Sequence, residues 1–222
     1  MNHFACIFDL DGVIVDTAKF HFIAWKRLAN SLCFDFTEQQ NELLKGISRK
    51  ESLDIILDWG NLELNASDKE LWLTTKNNWY LELVNSMTAD SILPGVREFI
   101  AAVKKAGIKT GLGSASKNAT HILEIVGLIN EFDAIVDGNK TTKSKPNPQV
   151  FTQCADELGV DYKDCVVFED AEAGIEAALL GGMYPIGIGE KEILNKAAFV
   201  IPDLSEMSLE KLPFRLQTFK MS

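Results

Sequence analysis

Hydrophobic positions along the chain follow two rhythms. Phe4-Ala5-Cys6-Ile7-Phe8 is an unbroken apolar run of strand length that stops at Asp9-Leu10-Asp11-Gly12. From about Val15 to about Asp90 the spacing turns helical: Phe22, Trp25, Leu28 and Ala29 share one face, as do Leu53, Ile56 and Leu57. Beyond Leu93-Pro94-Gly95, short apolar runs alternate with helical stretches. The pattern predicts helices over 96–106, 116–126, 148–158 and 171–180, closed by Gly107, Gly127, Gly159 and Gly181-Gly182. Between them it predicts strands over 109–113, 134–136, 165–168, 185–188 and 198–201.

Apolar strands that alternate with helices imply an α/β fold: a parallel sheet covered by helices on both faces. Ligands of such sheets sit beyond the carboxyl ends of the strands. The helical stretch interrupts this alternation after the first strand, at the edge where a site would lie. All four tryptophans (Trp25, Trp59, Trp72, Trp79) fall within it, which predicts a module with a small core of its own. The expected division is a core of 1–14 and 92–222 with an inserted helical domain of 15–91.

Acidic, hydroxyl and basic residues collect at the predicted strand ends. Asp9 and Asp11 are two apart, so an extended backbone points both side chains to one side, and Gly12 permits a turn. Paired carboxylates can bind a cation, attack an electrophile or move a proton. The second strand exits at Gly113-Ser114-Ala115-Ser116, where a hydroxyl and free amides can receive an anion. Lys143-Ser144-Lys145-Pro146-Asn147-Pro148 sets a lysine in a stiff loop, and the strand ending at Phe168 delivers Glu169-Asp170. Each alone reads as a cap or a surface group. Together they require a neutralising cation, and all-oxygen donors favour Mg2+. A carboxylate nucleophile, a divalent metal and a lysine beside a hydroxyl suit phosphoryl transfer through an acyl-phosphate.

Asp9-Leu10-Asp11-Gly12, Ser114, Lys145 and Glu169-Asp170, in that order, resemble the motifs of the haloacid dehalogenase superfamily of phosphotransferases. The resemblance implies a Rossmann-like α/β core with a helical cap inserted after the first strand. It makes Asp9 the nucleophile and Asp11 the general acid/base. Ser114 and Lys145 would hold the transferring phosphoryl group, and Asp9, Asp11 (through its carbonyl), Glu169 and Asp170 would hold Mg2+. Longer stretches are similar to the superfamily's sugar-phosphate mutases: Phe8 to Thr17, His21-Phe22-x-x-Trp25, Leu44 to Arg49, Ser114 to Asn118 and Ser144-Lys145-Pro146.

That likeness implies a phosphorylated hexose as substrate, passing through an aspartyl-phosphate and a bisphosphorylated sugar; a sugar-phosphate phosphatase is the alternative. Arg49, with Ser116, Lys117 and Asn118 across the cleft, would grip the second phosphate. Lys45, Gly46, Ser48 and Ala115 would line the site, His21, Trp25 and Lys76 would meet the sugar or gate the acid/base, and Thr17 would mark the hinge. Ala171 departs from the pattern, since these mutases carry a small hydroxyl residue there.

Composition narrows the remaining classes. With 22 Lys+Arg against 32 Asp+Glu the net charge is −10, which argues against a nucleic-acid face. No apolar stretch approaches the ~18 residues of a membrane helix, and Asp9 arrives too soon for a signal peptide beginning at Met1. Cys6, Cys33, Cys154 and Cys165 form no C-x-x-C pair, so a reduced, cytoplasmic setting is expected. His3 and His121 have no ligand-like neighbours, and neither G-x-G-x-x-G nor a Walker-type loop occurs. The chain is expected to act as a monomer without a nucleic-acid or membrane partner.

Overall fold

A computed structural model describes residues 4–213. Six parallel strands form one sheet: β1 (Ala5–Phe8), β2 (Lys109–Gly113), β3 (Ala134–Val136), β4 (Cys165–Glu169), β5 (Tyr184–Ile188) and β6 (Phe199–Ile201). Their order is β3-β2-β1-β4-β5-β6, so β1 lies between β2 and β4 and the chain reverses direction of growth beside it. Helices α5 (Val96–Lys105), α6 (Ala119–Val126), α7 (Gln149–Leu158) and α8 (Glu172–Leu180) connect the strands. The sheet is buried on both faces, with Ile7, Val167 and Phe151 in one apolar cluster and Cys6, Phe8 and Phe168 in the other.

Between β1 and β2 the chain builds α1 (Ala18–Ser31), α2 (Glu38–Glu42), α3 (Arg49–Trp59) and α4 (Ala66–Val84). Local sequence starts three of these. Thr37 and Gln40 form a reciprocal capping box, and the side chains of Ser48 and Asn65 accept from the backbone N–H groups of Glu51 and Asp68. Trp25, Leu28, Phe36, Leu53 and Ile56 make a separate apolar cluster, with Trp59, Trp72 and Trp79 packed against it. The separation is incomplete, because Ala24, Tyr80 and Val84 join the main core and Trp79 touches both clusters.

Two expected boundaries move. The helical stretch starts at Ala18, not near Val15, since Val13, Ile14 and Val15 are buried in the main core. Val15 bridges antiparallel to Ile92, and Leu93 N–H donates to the Ile14 carbonyl at 3.0 Å, so the two connections into the insertion run side by side. The helix after β2 starts at Ala119, not Ser116, because Ser116 and Asn118 turn the backbone into a loop.

Candidate active site

The register of β1 and β4 pairs Phe8 with Phe168, and Asp9 N–H donates to the Phe168 carbonyl at 3.0 Å. The two phenyl rings stack at 4.8 Å, and Phe99 meets both edge-on. Each such contact contributes roughly 0.5–1.5 kcal/mol beyond burial. This aromatic floor fixes the strand ends from which Asp9 and Glu169 project. On the other flank, Ser114 N–H donates to the Val136 carbonyl at 3.0 Å and places its hydroxyl at the same edge.

Lys145 joins these carboxylates. Its Nζ lies 2.6 Å from Asp9 Oδ1 and 2.8 Å from Glu169 Oε2, with no exposed side-chain surface, and sits over the Phe151 ring at 4.6 Å. Burial alone would discharge the ammonium; the Asp9 and Glu169 carboxylates outweigh it and hold the pKa well above the ordinary lysine value. Carboxyl groups of Asp9, Glu169 and Asp170 offer oxygens within 4.8 Å of one another. Burial pushes Glu169 up to about 8, against the pull of Lys145, and Asp170 to about 6, against Lys45. The three carboxyl groups together form a donor set of hard oxygens that fits a small divalent cation.

Gly12 makes the crowding feasible. At φ +82°, a Cβ there would lie 2.1 Å from Asp170 Oδ2. Only glycine lets the β1 loop turn and leave that carboxylate its place.

Asp11 is set apart from the cluster. Its backbone N–H donates to Asp9 Oδ2 at 3.1 Å, while its carboxylate accepts a hydrogen bond from the Thr17 hydroxyl. Burial, then the neighbouring Asp9, raises it to about 7 despite that bond. The Asp11 side chain is therefore no member of the carboxylate cluster, and a contribution to a metal would have to come from its carbonyl. Thr17, expected among the substrate-binding residues, is fully buried and does not line the cleft; its contact is with Asp11.

The cleft above these strand ends measures about 600 Å3. Its floor carries Asp9, Asp11, Ser114 and Lys145, and its roof comes from α1, the α2–α3 connection and α4. Ala115, Ser116, Lys117 and Asn118 border it on the core side, and His21, Trp25, Lys45, Gly46, Ser48, Arg49 and Lys76 face it from the insertion. The expected residues thus converge, except Thr17 and Glu169, which lie beneath the surface.

Basic side chains of the roof stand among Glu51, Asp54 and Glu70. Lys45 Nζ spans the cleft to Asp170 Oδ2 at 3.1 Å and also meets Glu42 at 2.8 Å. These carboxylates outweigh partial burial and raise its pKa. Ser48 caps α3 and so sets Arg49 on its first turn. Among the described residues Arg49 forms no ion pair, and burial lowers its pKa. Lys76 is 1% exposed, 3.0 Å from His21 Nδ1 and 4.2 Å from the Trp25 ring centroid. Burial, then Arg49, pushes Lys76 well below the usual lysine value, and burial, then Lys76, does the same to His21.

Tyr80 also lines the cleft, its hydroxyl buried beside Thr17. Sequence reading missed it. Its signal was its place one helical turn beyond Lys76, on the same face. Ala171 opens α8 without a side-chain cap, but its N–H donates to Glu169 Oε1 at 3.1 Å, so the acidic pair keeps its backbone support.

The description "haloacid dehalogenase-like hydrolase" matches residues 5–182, from β1 past α8. The chain belongs to this family. Among curated members, β-phosphoglucomutase of Bacillus subtilis (strain 168) is 43% identical over 211 residues, 94% of this chain and 93% of that protein. Hexitol phosphatase B of Escherichia coli (strain K12) is 32% identical over 94% of this chain and 93% of its own length. A crystal structure of β-phosphoglucomutase from Clostridium difficile superposes with a TM-score of 0.90, at 42% identity over 93% of each chain. Membership of this family accounts for the fold.

Proposed function

We propose that the protein is a β-phosphoglucomutase, interconverting β-D-glucose 1-phosphate and D-glucose 6-phosphate. The observation that carries this reading is a second cationic grip. Lys145 and Ser114 serve the phosphoryl group on the floor, while Arg49 faces the cleft from the roof without an ion pair among the described residues. A mutase must hold a phosphate at both ends of its sugar at once; a simple phosphatase needs to hold only the one it removes. The 43% identity to the B. subtilis mutase, against 32% to hexitol phosphatase B, supports the same choice.

In this scheme Asp9 carries a phosphoryl group as an acyl-phosphate. The C6 hydroxyl of β-glucose 1-phosphate attacks that phosphorus, Asp11 accepts the hydroxyl proton, and the Asp9 carboxylate leaves, giving β-glucose 1,6-bisphosphate. The bisphosphate turns around so that its C1 phosphate meets Asp9. Asp9 attacks that phosphorus, Asp11 returns the proton to the departing C1 oxygen, and glucose 6-phosphate leaves the phosphorylated enzyme. A pKa near 7 suits both directions of this proton shuttle. Thr17 holds the Asp11 carboxylate until substrate arrives, and Lys145 stabilises charge on the transferring group.

Asp9, Glu169 and Asp170, with the Asp11 carbonyl, would hold Mg2+, which supplies charge neutralisation on phosphoryl oxygens. The inserted helices α1 to α4 act as the cap, whose closure excludes water from the acyl-phosphate. His21, Trp25 and Lys76 border the sugar, with Lys45, Gly46 and Ser48 beside it. All of these groups come from one chain, so a monomer suffices. Four cysteines without a disulfide suit a reduced cytoplasmic setting.

Incubation of the enzyme with β-glucose 1-phosphate, Mg2+ and a trace of the bisphosphate tests the reading. Glucose 6-phosphate should accumulate. Steady release of inorganic phosphate would instead make the protein a sugar-phosphate phosphatase.

A further inference from the structure

We propose that the turn Asp137-Gly138-Asn139 is a positioning element for Ser116-Lys117-Asn118, and thereby sets how firmly the enzyme holds the phosphate that is not being transferred. The inference rests on the mutase reading, which gives that loop to the second phosphate.

The loop leaves β2 just where the sheet ladder ends, so its carbonyls need partners from elsewhere. The turn following β3 supplies them. Gly138 N–H donates to the Ser116 carbonyl at 3.2 Å, and Asn139 Nδ2 donates to the Lys117 carbonyl at 2.9 Å. Asp137, only 7% exposed, holds the turn in shape: its Oδ1 accepts from Asn139 N–H at 2.9 Å and its Oδ2 from Asn139 Nδ2 at 3.0 Å.

Peptide geometry gives this clamp a direction. In a trans peptide the C=O and the following N–H point opposite ways. Tying back the Ser116 and Lys117 carbonyls therefore turns the N–H groups of Lys117 and Asn118 away from the 137–139 turn. Asn118 N–H is then taken by Ser116 Oγ at 3.2 Å, and the Asn118 amide reaches Asn77 of α4 at 3.0 Å. Contact between turn and loop is close. A Cβ at residue 138 would lie 2.3 Å from the Ala115 carbonyl oxygen. Gly138 borders the cleft beside Ala115 to Asn118, so a shift in the turn is transmitted to the loop.

Two substitutions perturb the clamp in different ways: Asn139→Ala loosens Lys117, and Gly138→Ala pushes Ala115. Lys140→Ala is the control, since it removes the neighbouring ion pair with Glu157 at 2.8 Å and leaves the loop's bonds in place. Both clamp variants should raise KM for β-glucose 1-phosphate about tenfold while kcat changes less than about threefold. Each should also raise inorganic phosphate released per glucose 6-phosphate formed by about threefold or more. Lys140→Ala should match the wild type.

Clamp variants that keep the wild-type KM and product ratio, with only Tm lowered, would reduce the turn to a structural element and overturn the proposal. A wild type that only hydrolyses its substrate would overturn the mutase reading, and with it the role given to the loop.

Discussion

Lys76 is a test of how the insertion trades stability for chemistry. It is 1% exposed, lies over the rings of Trp25 and Tyr80 at 4.2 and 4.9 Å, and has His21 as its polar neighbour at 3.0 Å, with no carboxylate in ion-pair contact among the described residues. A buried amine in that setting costs stability, since each unit by which folding lowers its pKa is about 1.4 kcal/mol. Lys76→Met keeps the stem against both rings and removes the amine. The gain is about 2–3 kcal/mol, in the range for apolar replacement of buried charge, less ~1 kcal/mol for leaving His21 Nδ1 unpaired.

The net, about 1–2 kcal/mol, should raise Tm by about 2–8 °C at neutral pH. The sign with pH follows from linkage. Folding lowers the Lys76 pKa, so between the folded value and 10.5 the unfolded chain binds the extra proton and stability rises with pH. The advantage of Lys76→Met over wild type should therefore shrink from pH 7 to pH 10. Differential scanning calorimetry across that range measures it, and kcat/KM should fall at least about tenfold in the same variant. A lower Tm for Lys76→Met, or a gap that widens with pH, would refute the reasoning.

Three further expectations concern the floor of the cleft. Lys145→Met leaves Asp9 and Glu169 facing each other in a buried site, so the metal-free protein should lose about 3–5 kcal/mol in denaturant unfolding and transfer should fall at least about a hundredfold. Gly12→Ala combines a left-handed φ with a methyl directed at Asp170; titration calorimetry should show Mg2+ affinity reduced about tenfold or more. Glu169 at about 8 and Asp170 at about 6 hold protons that a cation must displace. Mg2+ binding should accordingly release protons and tighten from pH 6 to pH 8, measured by calorimetry in buffers of different ionisation enthalpy.

Much of this was legible in the chain because its signals are local. Apolar runs marked the strands to within about two residues, and the acids that end β1 and β4 lie where a parallel sheet gathers its ligands. What failed depended on contacts between distant segments. Ser116 looked like a helix start because serine is a common cap, yet Gly138 and Asn139 hold its loop open from more than 20 residues away. Val15 fitted the helical spacing that follows it, but its pairing with Ile92 fixes it outside α1. Thr17 was grouped with the substrate-binding residues, while the fold buries it against Asp11 and off the cleft surface. Tyr80 shares a helical face with Lys76, but the cleft became its context only once α4 was set against α1.

Transfer of the Asp9 phosphoryl group to sugar in preference to water is the central claim. Enzyme labelled as the acyl-phosphate, mixed in single turnover with β-glucose 1-phosphate and quenched at successive times, tests it directly. The account predicts that the label moves from the peptide containing Asp9 into glucose bisphosphate and then glucose 6-phosphate. Label appearing as inorganic phosphate at the rate of its loss from the protein, or bound anywhere but Asp9, would contradict it.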